Sequence, residues 1–133
     1  MMGTLGIGCN ILKFSESDME LSKKMIKFYK EIRETVQNGE FYRLENSSTN
    51  DYHLFQYNGK NESLLFIFLP TTRIGHKGVK VKLKGLAEDK IYRFKLDGKE
   101  VEKSGRYLMN MGIDLRLAGD YKSDILKFTV VER

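Results

Sequence analysis

The alternation of apolar and polar positions changes character once along this chain. From Ser15 to Leu44 the apolar residues recur at helical spacing. Leu21, Met25, Phe28, Ile32 and Val36 follow one another at steps of four, three, four and four, which sets them on one face of an α-helix. Ile26 and Tyr29 widen the stripe, and Lys23, Lys24, Lys27, Lys30, Arg33 and Glu34 fill the opposite side. Ser17 and Glu20 have the capping-box spacing, Asp18 and Glu20 put negative charge at the positive end of the helix dipole, and Asn38-Gly39 predicts a stop with the glycine left-handed. About twenty residues at 1.5 Å each make a rod of roughly 30 Å. Its stripe has to lie against something large.

Beyond residue 45 the period drops to two. Residues 41–44 begin a strand, 46–51 are a polar loop and 52–57 a second strand. Asn58-Gly59 opens a four-residue turn. Residues 63–69, SLLFIFL, form a continuous apolar run that suits the centre of a sheet, closed by Pro70. Residues 79–84 alternate cleanly, with Lys80, Lys82 and Lys84 on one face. Residues 91–96 follow, then the tight-hairpin signal Asp97-Gly98 and a short strand around Val101. Residues 106–112 are ambiguous, 113–117 alternate again, and Gly119-Asp120 turns the chain into a last strand at 123–131. About eight short strands at near-regular spacing predict an antiparallel β-sandwich of Greek-key type. The fold class is α+β by content, with residues 1–45 as an α-type lead and 46–133 as an all-β domain.

The first twelve residues, MMGTLGIGCNIL, alternate small and apolar side chains, as in a segment buried on both sides. With nothing in the chain shaped to cover them, residues 1–14 are expected to be disordered or added to a sheet edge. Cys9 reads as a buried, inert thiol. A single cysteine, no basic stretch ahead of the opening apolar run and no membrane-length apolar segment lead to the expectation of a cytoplasmic protein without membrane contact. At 133 residues, 41% hydrophobic and 31% charged with eight Phe and seven Tyr, the composition is that of a soluble globular protein.

The net charge of +5 is spread over lysines rather than concentrated, which is the pattern of solvated faces. Arg73, His76, Lys77, Lys80, Lys82 and Lys84 form the one basic stretch that invites a nucleic-acid test. It lacks the interleaved aromatics that stack bases, and lysine on an outer strand guards against edge-to-edge pairing, so no nucleic-acid partner is expected. His53 and His76 are far apart, with no metal-ligand spacing around either. Gly3, Gly6 and Gly8 do not have the order of a phosphate loop. Asn46-Ser47-Ser48 and Asn61-Glu62-Ser63 match glycosylation sequons by chance. Asp114, Asp120 and Asp124 read as turn and strand-face residues. A retaining glycosidase needs two carboxyls about 5 Å apart, and no pair in the sequence announces itself. Met109 and Met111 read as core fillers. No cofactor or metal site is expected.

The order of short motifs adds more. MMGTLGIG followed by an acidic-capped helix, with Phe28-Tyr29-Lys30-Glu31-Ile32-Arg33, Val36-Gln37, Gly39 and Tyr42-Arg43-Leu44, resembles the end of the catalytic barrel in glycoside hydrolase family 36, the retaining α-galactosidases. Gly85-Leu86, Tyr92, Leu108-Met109-Asn110, Gly112, Gly119-Asp120-Tyr121 and Ser123 are similar to that family's C-terminal sandwich. The resemblance spans essentially the whole chain, most specifically over 1–44 and more loosely over 50–84. It implies that residues 1–11 correspond to the barrel's eighth strand and the segment after it, and that the helix is the barrel's last outer helix. The family's catalytic aspartates lie upstream of the MMG segment and have no counterpart here, so no catalytic residue is carried over. The expectation is a structural, inactive C-terminal fragment of an α-galactosidase. The alternatives are a stand-alone carbohydrate-binding sandwich, or a subunit docking onto a barrel or onto itself through the apolar face of helix 18–37.

Overall fold

The computed structural model describes residues 1–44, 51–72, 75 and 78–131. A 3-10 turn at Ile11–Lys13 precedes a long helix, α1 (Glu16–Asn38), and eight strands follow: β1 (Glu40–Leu44), β2 (His53–Asn58), β3 (Glu62–Leu69), β4 (Val79–Val81), β5 (Ile91–Leu96), β6 (Lys99–Ser104), β7 (Ile113–Leu115) and β8 (Lys122–Val131). A short helix, α2 (Gly105–Asn110), lies between β6 and β7. The strands build a six-stranded antiparallel sheet in the order β1-β2-β3-β8-β5-β6 and a two-stranded sheet of β4 and β7. One long helix with predominantly antiparallel strands is the expected α+β class.

Strand β3 occupies the middle of the large sheet between β2 and β8. Its alternation sends Leu65, Ile67 and Leu69 to one side, where they join Leu54, Leu126 and Phe128 and meet Val79, Val81, Ile113 and Leu115 of the small sheet. Leu64 and Phe66 point the other way and pack with Tyr57 against Tyr29, Ile32 and Val36 of α1. The molecule thus has three layers: helix, large sheet, small sheet. A strand covered on both faces has no use for a polar side, which is why its sequence is an unbroken apolar run. Five of its apolar side chains are essentially inaccessible. At about 2 kcal/mol for each fully buried aliphatic or aromatic side chain, they contribute on the order of 10 kcal/mol, an upper bound.

Helix α1 begins two residues earlier than its sequence spacing suggests. Ser15 is the N-cap: its hydroxyl accepts from the Asp18 amide while the Asp18 carboxylate accepts from the Ser15 amide. Ser17 and Glu20 are not the capping pair. Ser17 Oγ lies 2.8 Å from Ser15 Oγ, and Glu20 pairs with Lys23 at 3.3 Å. The Ser15 bonds hold the Asp18 carboxyl below its usual range. Gly39 ends the helix with extended backbone (φ −76°) instead of left-handed. Glycine serves there by its size, because a Cβ would collide with the Thr35 carbonyl and sit 2.7 Å from the Asn58 carbonyl oxygen.

Residues 1–14 add no strand to a sheet edge, and their one regular element is the 3-10 turn at Ile11–Lys13. Met1, Met2 and Leu5 lie half-buried against the α1 side of the large sheet, and the chain then leaves the surface, so that Cys9 is exposed rather than buried. The hairpin at Asp97-Gly98 is as expected, with both residues at positive φ. Helix α2 spans the ambiguous region; six residues are too few for a helical period to show. Met109 packs on the core, whereas Met111 is exposed.

Only the second half of the α1 stripe is covered: Ile32 is fully buried, but Leu21 is 58% exposed. Ile32→Ala is therefore expected to lower stability by about 2–5 kcal/mol and Leu21→Ala by less than about 0.5 kcal/mol. Urea unfolding of the two variants, compared at equal m-value, measures both.

Candidate interaction face

The acidic and basic residues singled out above do not converge. Asp114 pairs with Lys80 across β4 and β7 at 3.6 Å, Asp120 accepts from the Thr72 amide at 2.6 Å, and Asp124 accepts from the neighbouring Ile125 amide at 2.8 Å. Each carboxylate is occupied locally. His53 opens β2 opposite Phe68, exposed. The β4 ladder ends at Val81, so Lys82 and Lys84 lie beyond the strand that was expected to carry them. Arg73, His76 and Lys77 fall outside the described residues, as does the sequon at 46–48. Among the described residues no three His, Cys, Asp or Glu side chains gather as a metal-binding group, and no helix is long and apolar enough to cross a membrane.

What the fold does assemble is an apolar face. Beside α1, the large sheet carries a row of rings: Phe41 stacks on Phe55 with centroids 6.0 Å apart, Phe55 meets Phe68 edge-on at 6.1 Å, and Phe41 tilts against Tyr57 at 5.0 Å. Phe41, on the edge strand β1, is more than half exposed. The first half of α1 extends beyond this row with Leu21 and Met25 uncovered. Residues 1–5 cross the face as a strap. The Tyr57 hydroxyl donates to the Met2 carbonyl at 3.0 Å and the Tyr29 hydroxyl to the Gly3 carbonyl at 2.6 Å. Burial pushes the Tyr57 hydroxyl above its ordinary pKa. Main-chain carbonyls of an apolar strap are thereby satisfied by two phenols whose rings belong to the core.

The opposite side of the sheet is closed by a polar clamp. Gln56 is fully buried on β2. Its carbonyl accepts from the Lys84 amide at 2.9 Å and its Nε2 donates to the Lys84 carbonyl at 2.7 Å, so one side chain imitates a ladder partner for the segment after β4. Asn58 adds a second bond to that carbonyl at 2.8 Å, and Ser63 donates to Asn58 Oδ1 at 2.7 Å. The next residue, Gly85, is left-handed (φ +64°), and a Cβ there would lie 2.8 Å from Tyr42 Cζ. Sequence reading passes over Gln56, because a lone glutamine in a strand carries no spacing signal. On the helix side, Glu62 accepts from the Thr35 hydroxyl at 2.5 Å and pairs with Lys127 at 2.8 Å, tying α1, β3 and β8 together.

This three-layer arrangement recurs in known proteins. Residues 52–128, more than half of the chain, match the family model described as the glycosyl hydrolase family 36 C-terminal domain. The chain belongs to that family. It is 32% identical to the α-galactosidase Mel36A of Lactobacillus acidophilus over 133 residues, which is 98% of this chain and 18% of that protein. The crystal structure of the α-galactosidase from Lactobacillus brevis shares the fold, with a TM-score of 0.81 at 21% identity over 93% of this chain and 18% of that one. A variant of the family-36 α-galactosidase AgaA from Geobacillus stearothermophilus, solved in complex with raffinose, superposes with a TM-score of 0.79 at 25% identity, over 92% of this chain and 17% of that one. The chain thus corresponds to the C-terminal part of family-36 α-galactosidases, and it spans less than a fifth of the length of these relatives.

The clamp makes a direct prediction. Gln56→Ala strands the Lys84 amide and carbonyl and leaves a small cavity, at an expected cost of about 2–4 kcal/mol. Chemical denaturation measures the loss, and amide exchange at Lys84 should accelerate well beyond the change in global stability.

Proposed function

We propose that these 133 residues serve as the structural, non-catalytic C-terminal unit of an α-galactosidase. The parent activity is cleavage, with retention, of terminal α-linked galactose from oligosaccharides of the raffinose or melibiose type. The chain's own part is to brace the catalytic barrel. The observation that carries this reading is the unfinished apolar face. The rings of Phe41, Phe55 and Phe68, the bare half of α1 and the strap of residues 1–5 lie on one side of the molecule, an arrangement suited to packing against a further domain. The likeness to α-galactosidases runs over nearly the whole chain, and the raffinose bound to the Geobacillus enzyme supports an oligosaccharide of that type as the parent's substrate.

Residues 1–45 are read as the last strand-and-helix unit of the barrel, and 46–133 as the sandwich that closes it. Asp114, Asp120 and Asp124 each engage a local partner, and the reading places the chemistry in the parent's barrel. The same face fits docking in trans, through helix 18–37, onto a separately supplied barrel.

Purified chain incubated with a chromogenic α-galactoside is expected to release no chromophore above the buffer rate. Turnover that copurifies with this chain and is abolished by a galactose-mimicking inhibitor would overturn the proposal.

A further inference from the structure

The hairpin between β2 and β3 turns at Asn58-Gly59, where two demands of the fold meet. Gly59 is required by space: a Cβ there would sit 2.5 Å from Thr35 Oγ1 and 3.2 Å from Thr35 Cγ2, so α1 leaves no room for a side chain. Asn58 is required by the clamp. Its Nδ2 donates to the Lys84 carbonyl at 2.8 Å, and its Oδ1 accepts from Gln56 Nε2 at 2.6 Å and from Ser63 Oγ at 2.7 Å. Together the two demands put a primary amide directly before a residue without a side chain. Such a pair is prone to cyclise, because nothing shields the glycine nitrogen from the Asn carbonyl carbon.

In that reaction the Gly59 nitrogen gives up its proton to base and attacks Asn58 Cγ. A C–N bond forms, the Cγ–Nδ2 bond breaks, and Nδ2 takes up a proton and leaves as ammonia, closing a cyclic imide. Water then opens the ring to aspartate, or to isoaspartate with the main chain routed through the former side chain. The folded hairpin withholds both reactants. The Gly59 N–H donates to the Glu62 carbonyl at 2.8 Å, and the Asn58 amide cannot turn toward that nitrogen without breaking its three hydrogen bonds. Neither product suits the site. An ionised aspartate only accepts, so a carboxylate oxygen would face the Lys84 carbonyl where a donor stood. Isoaspartate inserts an extra main-chain carbon into a turn that Thr35 already crowds.

We propose that Asn58-Gly59 is a site of spontaneous deamidation gated by the clamp. It is closed while Gln56, Asn58 and Lys84 hold together and open whenever they part. Because the product no longer fits, each opening removes a share of the molecules from the folded pool for good. A second Asn-Gly pair supplies the contrast. At Asn38-Gly39 the glycine N–H donates to the Thr35 carbonyl at 2.9 Å, but the Asn38 side chain is exposed and lies outside the clamp.

The test follows both pairs in the full chain by mass spectrometry of tryptic peptides during incubation at mildly alkaline pH. Residues 34–43 and 44–60 form separate peptides, so each pair is read independently. In urea above the unfolding midpoint, Asn38 and Asn58 are expected to convert at similar rates. In buffer, conversion at Asn58 is expected to slow by at least about tenfold, in proportion to the rarity of opening. Ser63→Ala removes one of the three bonds; it is expected to raise the Asn58 rate in buffer several-fold, with Asn38 unchanged and both rates in urea unchanged. Asn58→Asp, the product made directly, is expected to unfold at lower urea than the parent chain. Equal Asn58 rates in buffer and urea would overturn the proposal. So would a Ser63→Ala chain in which Asn58 does not outpace Asn38 in its acceleration, or an Asn58→Asp chain as stable as the parent. If Ser63→Ala does not fold, the unaltered chain in buffer and urea decides.

Discussion

The constraint that governs this molecule is a strand with no polar face. Leu64 and Phe66 on one side of β3, and Leu65, Ile67 and Leu69 on the other, have to leave water together, and a single sheet can hide only one set. One layer on each side is therefore obligatory. The small sheet of β4 and β7 supplies the first through Val79, Val81, Ile113 and Leu115. The second comes from α1, through Tyr29, Ile32 and Val36. The second half of the helix packs directly on β2 and β3. It is half of what keeps the central strand dry, and the Thr35–Glu62–Lys127 chain of polar contacts fixes it in place.

The same constraint shapes the surface that the proposed role depends on. An α-helix of 23 residues is roughly 35 Å long at 1.5 Å per residue. Only its second half reaches β2 and β3; the first half carries its apolar stripe past the sheet into solvent. Beside it the sheet exposes the Phe41–Phe55–Phe68 row where the helix has moved away. A strap of five residues covers part of the remainder. Its backbone is tied down by phenols because it belongs to no ladder and its carbonyls have to be satisfied some other way.

Much of this was legible in the sequence, for identifiable reasons. The apolar run at 63–69, the alternation at 91–96 and the Asp97-Gly98 turn each carry a signal within a few residues, and each became the element it predicts. The helical stripe was equally plain, but periodicity reports a face without reporting how much of it will be covered, so Leu21 and Ile32 looked alike and are opposites. The cap was misplaced because Ser15-Asp18 and Ser17-Glu20 share one spacing, and only backbone geometry separates them. Gly39 shows another limit: the residue type was right, yet the reason is a close approach to Asn58 that sequence does not contain. Gln56, Tyr29 and Tyr57 went unread as a clamp and a strap holder because their partners, Lys84, Gly3 and Met2, are distant in the chain. The family resemblance rested on local motifs and survived these errors.

Native-state hydrogen exchange tests the layered account most directly. If α1 is an obligatory layer over β3, the amides of residues 29–36 should exchange only through global unfolding, with the same free energy as those of 64–69, while residues 18–25 exchange by local opening several kcal/mol lower. Uniformly fast exchange along the whole of α1, with β3 still fully protected, would contradict it and make the helix a dispensable attachment.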